Sequence, residues 1–172
     1  MQIFLDLHEK MPNYTDEKNT LMLISLMKAH GVKKIVASPG TTNVAFVASV
    51  QQDEYFEVYS AYDERSAAYM ACGMAAESGE PVALSCTQAT ASRNYFPGLT
   101  EAFYRKLPVL AITSTQHFGR IGQNFQQAID RSVQPVDTVN LSVQVPVIHT
   151  PDDEWYCNVL LNRALLELRR KG

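Results

Sequence analysis

Apolar residues recur along this chain in two rhythms, and the rhythms alternate. Short continuous runs fall at Lys34–Ser38, Phe56–Ala61, Pro81–Cys86 and Pro108–Thr113. Phe56–Ala61 is β-prone, and several of the others are continuous apolar runs, which predicts strands buried on both faces. Between them the spacing changes to three and four. Leu21, Ile24, Leu26 and Met27 give a helical apolar face, with Thr15 as its expected N-cap and Gly31 just past its end. Asn43–Gln52 predicts a second, mostly apolar helix. Asp63 and Glu64 open a third, built from small residues and closed by Gly79. Thr87–Arg93 reads as a polar turn before a helix that runs to about Arg105. The loop STQHFGRIGQNFQQ leads to an expected helical turn near Gln127–Arg131. Leu141–Ile148 is the last strand candidate, with Pro146 pointing to an edge or a bulge. A final amphipathic helix starts at Pro151, with Trp155, Val159, Leu161, Ala164, Leu165 and Leu168 on its buried side.

Strands alternating with helices predict a three-layer α/β domain with a mainly parallel sheet. Residues 1–14 read as an N-terminal arm, in which MQIFLDL is either a short strand or a contact for a partner subunit. Residues 15–172 read as one domain. The polar loops Ser38–Thr42, Ala61–Glu64, Thr87–Asn94 and Ser114–Gln127 all follow strands. They are expected to gather on one edge of the sheet, where such folds keep their ligands.

Composition narrows the function. The chain has 172 residues, 46% hydrophobic and 19% charged, which is a folded globular composition. A net charge of −3 with no basic stripe argues against nucleic acid. No apolar run approaches the roughly 20 residues that cross a bilayer, and the N-terminus lacks the basic flank of a signal peptide. Cys72, Cys86 and Cys157 form an odd set without metal spacing, which suits a reducing compartment and suggests the cytoplasm. His8, His30, His117 and His149 are scattered, so no metal site is expected in this chain. There is no GxGxxG, no P-loop and no GxSxG elbow. Ser38-Pro39-Gly40-Thr41-Thr42 could present backbone amides to a ligand or be an ordinary strand–helix turn. Glu64 could be catalytic or a solvated first-turn charge paired with Arg65. Pattern alone leaves both open.

Several motifs in order speak more specifically. SPGTTNVAF, then YDERSAAYMACGMAAESGEPVALSCTQATASRNYFPGLTEA, then RKLPVLAITSTQ and QQAID resemble the pyrimidine-binding (PYR) domain of thiamine-diphosphate enzymes. Within that family the pattern is similar to menaquinone-pathway cyclohexene-carboxylate synthases, with acetolactate synthase-like proteins and decarboxylases behind them. The resemblance spans roughly residues 15–170. It implies that Glu64 is the glutamate that activates the cofactor through its pyrimidine ring. It implies that Pro39, Gly40, Thr41, Thr87 and Asn94 line the cofactor, and that Gln88, Gln116 and Gln127 lie on the substrate side. It further implies thiamine diphosphate as cofactor, a 2-keto acid as substrate, decarboxylation or carboligation as reaction, and a homodimer through PYR domains.

Two departures stand out. Thr41-Thr42 replace the Ser-Arg that the synthases carry after Ser-Pro-Gly. Thr87-Gln88-Ala89-Thr90 lacks the glycine of the family's TSG motif. The family's GDG segment, which holds the diphosphate through Mg2+ on a second (PP) domain, is missing from these 172 residues. The chain is therefore expected to be an N-terminal piece, or the alpha-type subunit of a split 2-keto acid decarboxylase of the sulfopyruvate or phosphonopyruvate type. Its rivals are a non-catalytic assembly module, which has no need of Glu64, and an unrelated nucleotide-binding domain.

Overall fold

The computed structural model describes residues 14–128 and 130–170. The elements in order are α1 Lys18–Ala29, β1 Lys34–Ala37, α2 Val44–Gln52, β2 Glu57–Ser60, α3 Glu64–Ser78, β3 Val82–Thr87, α4 Ala89–Asn94, α5 Phe96–Arg105, β4 Val109–Ser114 and α6 Pro151–Glu167. Single 3-10 turns at Thr41–Asn43 and Phe118–Arg120 follow β1 and β4.

The strands lie in the order β2-β1-β3-β4, all parallel. Ile35 sits between Val58 and Ala83, and Leu84 between Val36 and Ala111. Parallel neighbours need crossover helices, and these cover both faces. Successive strand residues point to opposite sides. Ile35 and Ala83 thus join Ile24, Met27, Phe46 and Val50 under α1, α2 and α6. Val36, Leu84 and Cys86 join Ala67, Ala71 and Leu99 under α3 to α5. The expected three-layer α/β architecture is what forms.

The small residues of α3 allow close approach. Ala67, Ala68, Ala71, Cys72 and Ala75 are buried, and the Cys72 thiol donates to the carbonyl of Gly98 on α5 at 3.2 Å. A Cβ on Gly98 would overlap the Cβ of Ala68 and lie 3.0 Å from its carbonyl carbon. Gly98→Ala is therefore expected to cost about 1–3 kcal/mol, because two helices must part to admit one methyl. Urea unfolding of the variant against the parent measures it.

Several local expectations are corrected. Leu141–Ile148 joins no ladder among the described residues. The carbonyl of Pro146 accepts from Asn19 Nδ2, and Ile148 packs with Cys157 and Leu161 against Met22 and Leu26. The helices α1 and α6 capture the segment's apolar side, and proline removes a ladder donor. Among the described residues β4 consequently pairs with β3 alone. Beyond its outer edge lies a cavity of about 980 Å³ lined by Leu107, Leu110, Ile112, Val145, Leu161 and Leu165 among others. Thr15 is not the cap of α1; that position is Glu17, whose side chain accepts from the Thr20 hydroxyl and not from a backbone N–H of the first turn. Thr15 instead donates its N–H to Ser49 Oγ and accepts from the Glu17 N–H, which fastens the approach to the helix. The polar turn expected over Thr87–Arg93 shrinks to Gln88, since Ala89 and Ala91 bury as α4. The described residues of Gln127–Arg131 form no helical turn. Trp155 is 69% exposed, on the outer side of α6. MQIFLDL lies outside the described residues.

Candidate cofactor site

Parallel pairing brings the loops after all four strands to one edge. Between β1 and β3 the chain diverges: α2 leaves for one face and α4–α5 for the other. The carboxyl ends of these two strands therefore border the crevice at the topological switch point.

Asn43 builds the first wall. It is wholly buried. Its Nδ2 donates to the Ser38 carbonyl at 3.2 Å and to Ser85 Oγ at 3.1 Å, and its Oδ1 accepts from the Gly40 N–H at 2.8 Å. The Ser38-Pro39-Gly40 turn is thereby pinned to β3. A Cβ at Gly40 would lie 2.6 Å from Thr87 Cγ2, so a side chain is excluded there. Thr42 Oγ1 and the Gln88 N–H both donate to the carbonyl of Ser114, tying in the end of β4. Pro39 and Thr41 are exposed at the rim.

The second wall is the start of α3. Asp63 caps it, accepting from the Ser66 N–H at 2.8 Å and the Ser66 hydroxyl at 2.7 Å. These bonds, the hydroxyl's first, hold its carboxyl below the usual range. The cap is thus intact above the unfolded-state value and weakens only as pH falls through the depressed one. Because Asp63 takes the capping task, Glu64 is free for other work. Glu64 Oε2 accepts from Asn94 Nδ2 at 3.1 Å, and both residues are half-buried. Among the described residues it forms no ion pair with Arg65. Beneath the pair lie Cys86 and Tyr95, both buried. Burial pushes the Cys86 thiol up to about 12 and the Tyr95 hydroxyl higher still, so the floor under Glu64 is neutral.

The motif's glycine position is Ala89, and the residue before it, Gln88, adopts φ 44°, ψ −149°. That region of backbone space is one that glycine adopts most readily. Such a backbone costs about 1–3 kcal/mol in other residues, partly offset by the extra unfolded-state freedom of glycine. Gln88→Gly is expected to raise Tm by about 2–4 °C, for a net gain near 1 kcal/mol. Calorimetry checks it, and a lower Tm would show the turn to be unstrained.

The glutamines divide. Gln127, at φ 59° and exposed, accepts from Thr90 Oγ1 at 3.1 Å and so rests on α4. Gln116 is tied inside its own loop, donating to the Gln126 carbonyl and accepting from Arg120. The fold brings together Glu64 with Asn94, Gly40 with Thr87, and Gln127 with Thr90. Asn43 and Arg131 were not foreseen as site residues. Asn43 left a faint signal, an amide three residues beyond a glycine after a strand; Arg131 left none in a polar loop.

A carboxyl paired with a carboxamide over a neutral floor suits a flat nitrogen heterocycle, which needs both a donor and an acceptor along one edge. It does not suit a metal: among the described residues, no group of three His, Cys, Asp or Glu side chains could hold one.

Residues 19–134 match the family of the thiamine pyrophosphate enzyme, N-terminal TPP binding domain. The chain belongs to this family. Proteins it is similar to include the 2-succinyl-5-enolpyruvyl-6-hydroxy-3-cyclohexene-1-carboxylate synthase of Phocaeicola vulgatus, 42% identical over 159 residues. That match covers 92% of this chain and 28% of the relative. The synthase of Porphyromonas gingivalis is 36% identical over 154 residues, covering 89% and 27%. The chain thus spans less than a third of the curated relatives it matches. Benzoylformate decarboxylase from Polynucleobacter necessarius shares the fold at TM-score 0.57 and 20% identity, over 63% of this chain and 20% of that one. A putative thiamin diphosphate-dependent enzyme from Mycobacterium smegmatis does so at 0.59 and 21%, over 66% and 22%. The expected membership in the thiamine-dependent enzymes, by way of their N-terminal domain, is borne out.

Proposed function

We propose that residues 15–172 form the pyrimidine-binding half of a thiamine diphosphate site, with Glu64 as the group that activates the cofactor. The observation that carries this reading is the Glu64–Asn94 hydrogen bond at the carboxyl edge of the sheet. Glu64 offers its carboxyl to a ring nitrogen of the aminopyrimidine, and Asn94 fixes which oxygen faces it. Pro39, Gly40 and Thr41 line the cofactor from the β1 side, and Thr87 from the β3 side. Gln88, Gln116 and Gln127 belong to the substrate side. When bound, thiamine diphosphate supplies a nucleophilic carbon that adds to a 2-keto acid and stabilises the carbanion left by decarboxylation.

The diphosphate and its Mg2+ belong to a PP domain, either further along a longer chain or on a separate subunit. The site is completed across a dimer of PYR domains, in the cytoplasm. The relatives' printed names support a carboligating synthase. Thr41-Thr42, without an arginine, leave the acceptor to be identified by assay. No helix among the described residues is long and apolar enough to cross a membrane.

Calorimetric titration of this chain tests the half-site. Thiamine and thiamine diphosphate should bind weakly and about equally, with no effect of Mg2+. Tight, Mg2+-dependent binding of the diphosphate alone would mean that this chain carries the anchor itself, and the reading would fall.

A further inference from the structure

Arg131 is a cation held against the fold by carbonyl, hydroxyl and ring contacts, with no carboxylate partner among the described residues. Its Nη2 donates to the Ala89 carbonyl at 3.1 Å and to Ser92 Oγ at 2.5 Å. The guanidinium lies over the Phe96 ring, 5.2 Å from its centroid. Its Nε is buried with no hydrogen-bond partner. Among the described residues no ion pair includes it. Burial, then nearby Arg93, works against its charge. Such a placement is costly for an arginine and calls for a return.

What it touches indicates that return. Ser92 Oγ, which accepts from Arg131, donates to the carbonyl of Gln88 at 2.5 Å. Gln88 is the residue in glycine's conformation. From Gln88 the six residues of α4 run to Asn94, the partner of Glu64. A helix this short has little stability of its own, so something outside must hold it. The other end of the brace is anchored too. The Arg131 carbonyl accepts from Gln134 Nε2 at 2.7 Å and from Ser142 Oγ at 2.8 Å. One connected path therefore runs from the 134–142 segment through Arg131 and Ser92 to Gln88. Strained backbone persists only where its surroundings over-determine it.

We propose that Arg131 is a positioning residue: through Ser92 and Ala89 it braces the strained Gln88 turn and so sets Asn94 against Glu64. The brace stands on the structure alone, while its effect on the cofactor rests on the function proposed above.

The test is a double-mutant cycle in the full-length protein. Arg131→Met and Arg131→Lys are made alone and with Gln88→Gly, and each is melted. Arg131→Met is expected to lower Tm by several degrees, and by less than half as much once Gln88→Gly has removed the strain. Equal drops in both backgrounds would overturn the brace. Should Arg131→Met fail to fold, Arg131→Lys carries the same cycle. The second readout needs no substrate: deuterium exchange at the thiazolium carbon of added thiamine diphosphate, with Mg2+. Arg131→Met should slow it by about 10–100-fold, Arg131→Lys should recover part of the rate, and Gln88→Gly should recover part in the Met background. Coupled melting with unchanged exchange would leave a structural brace and overturn the positioning role. If the parent protein does not accelerate exchange at all, the proposed function fails and takes the positioning role with it. The melting cycle then still decides the brace.

Discussion

Glu64→Gln in the full-length protein should lower thiamine-dependent turnover by about 10²–10⁴-fold, the range lost when a positioned proton-transfer group is removed. The substitution is close to isosteric. Glutamine keeps an oxygen for Asn94 Nδ2 to donate to, and Asp63 still caps α3. The fold should therefore survive, with at most the loss of a favourable first-turn charge, worth about 0.3–1 kcal/mol. The carboxyl's ability to share a proton with a ring nitrogen is lost outright. Steady-state assay of the loaded protein, beside a melting curve, separates the two effects. Less than a tenfold change in a protein that melts normally would remove Glu64 from the chemistry. Glu64→Ala is a harsher control, since it also strands Asn94 with a half-buried, unpaired amide.

The largest effect on stability is expected at Asn43. Asn43→Leu keeps approximate volume but strips three hydrogen bonds, leaving the Gly40 N–H, the Ser38 carbonyl and Ser85 Oγ to find other partners. Ser38 N–H already donates to the Ser85 carbonyl, so the turn cannot simply slide toward β3. Burial of unsatisfied groups at about 1–3 kcal/mol each, with partial relaxation, gives a loss of about 2–4 kcal/mol. For a domain of this size that is roughly 4–16 °C in Tm. Weaker cofactor binding in the full-length protein should accompany it, because Gly40 would lose the contact that seats it against Thr87. A melting point within two degrees of the parent, by the same size scaling, would show that the turn is held by something else.

The layered fold was legible because its signals are local and repeated. KIVAS, PVALSC and PVLAIT are mostly apolar runs; the first two became the central strands β1 and β3, and the third became β4 beside them. The small residues of α3 announced close packing, and Gly98 is the surface that needs it. Errors came where tertiary contacts outvoted local pattern. Leu141–Ile148 carries a strand's composition, yet α1 and α6 took its side chains. TQATASRN carries a turn's composition, yet Ala89 and Ala91 found apolar cover and Ser92 satisfied its hydroxyl on the Gln88 carbonyl. In the site, Glu64 and Asn94 were legible through motif order, and their hydrogen bond gives that order a geometry. Arg131 was not, since a lone arginine among polar neighbours says nothing about which carbonyl it will reach. The glycine missing at Ala89 was read as a change of loop conformation, and in this chain that position opens α4. The strain sits one residue earlier, at Gln88, where its neighbours hold it.

Among the described residues no strand covers the outer side of β4, and that makes concentration a variable in experiments on this chain. A strand paired on one side only is a template for any other strand, its own copy included. Here the template borders a cavity to which Leu107, Leu110, Ile112 and Leu165 contribute apolar surface, so hydrogen bonding and burial reward the same encounter. Self-association of the purified chain should begin there, ahead of any loss of the helices. Its onset would be seen as a heavier species in sizing runs at rising concentration while helical signal holds.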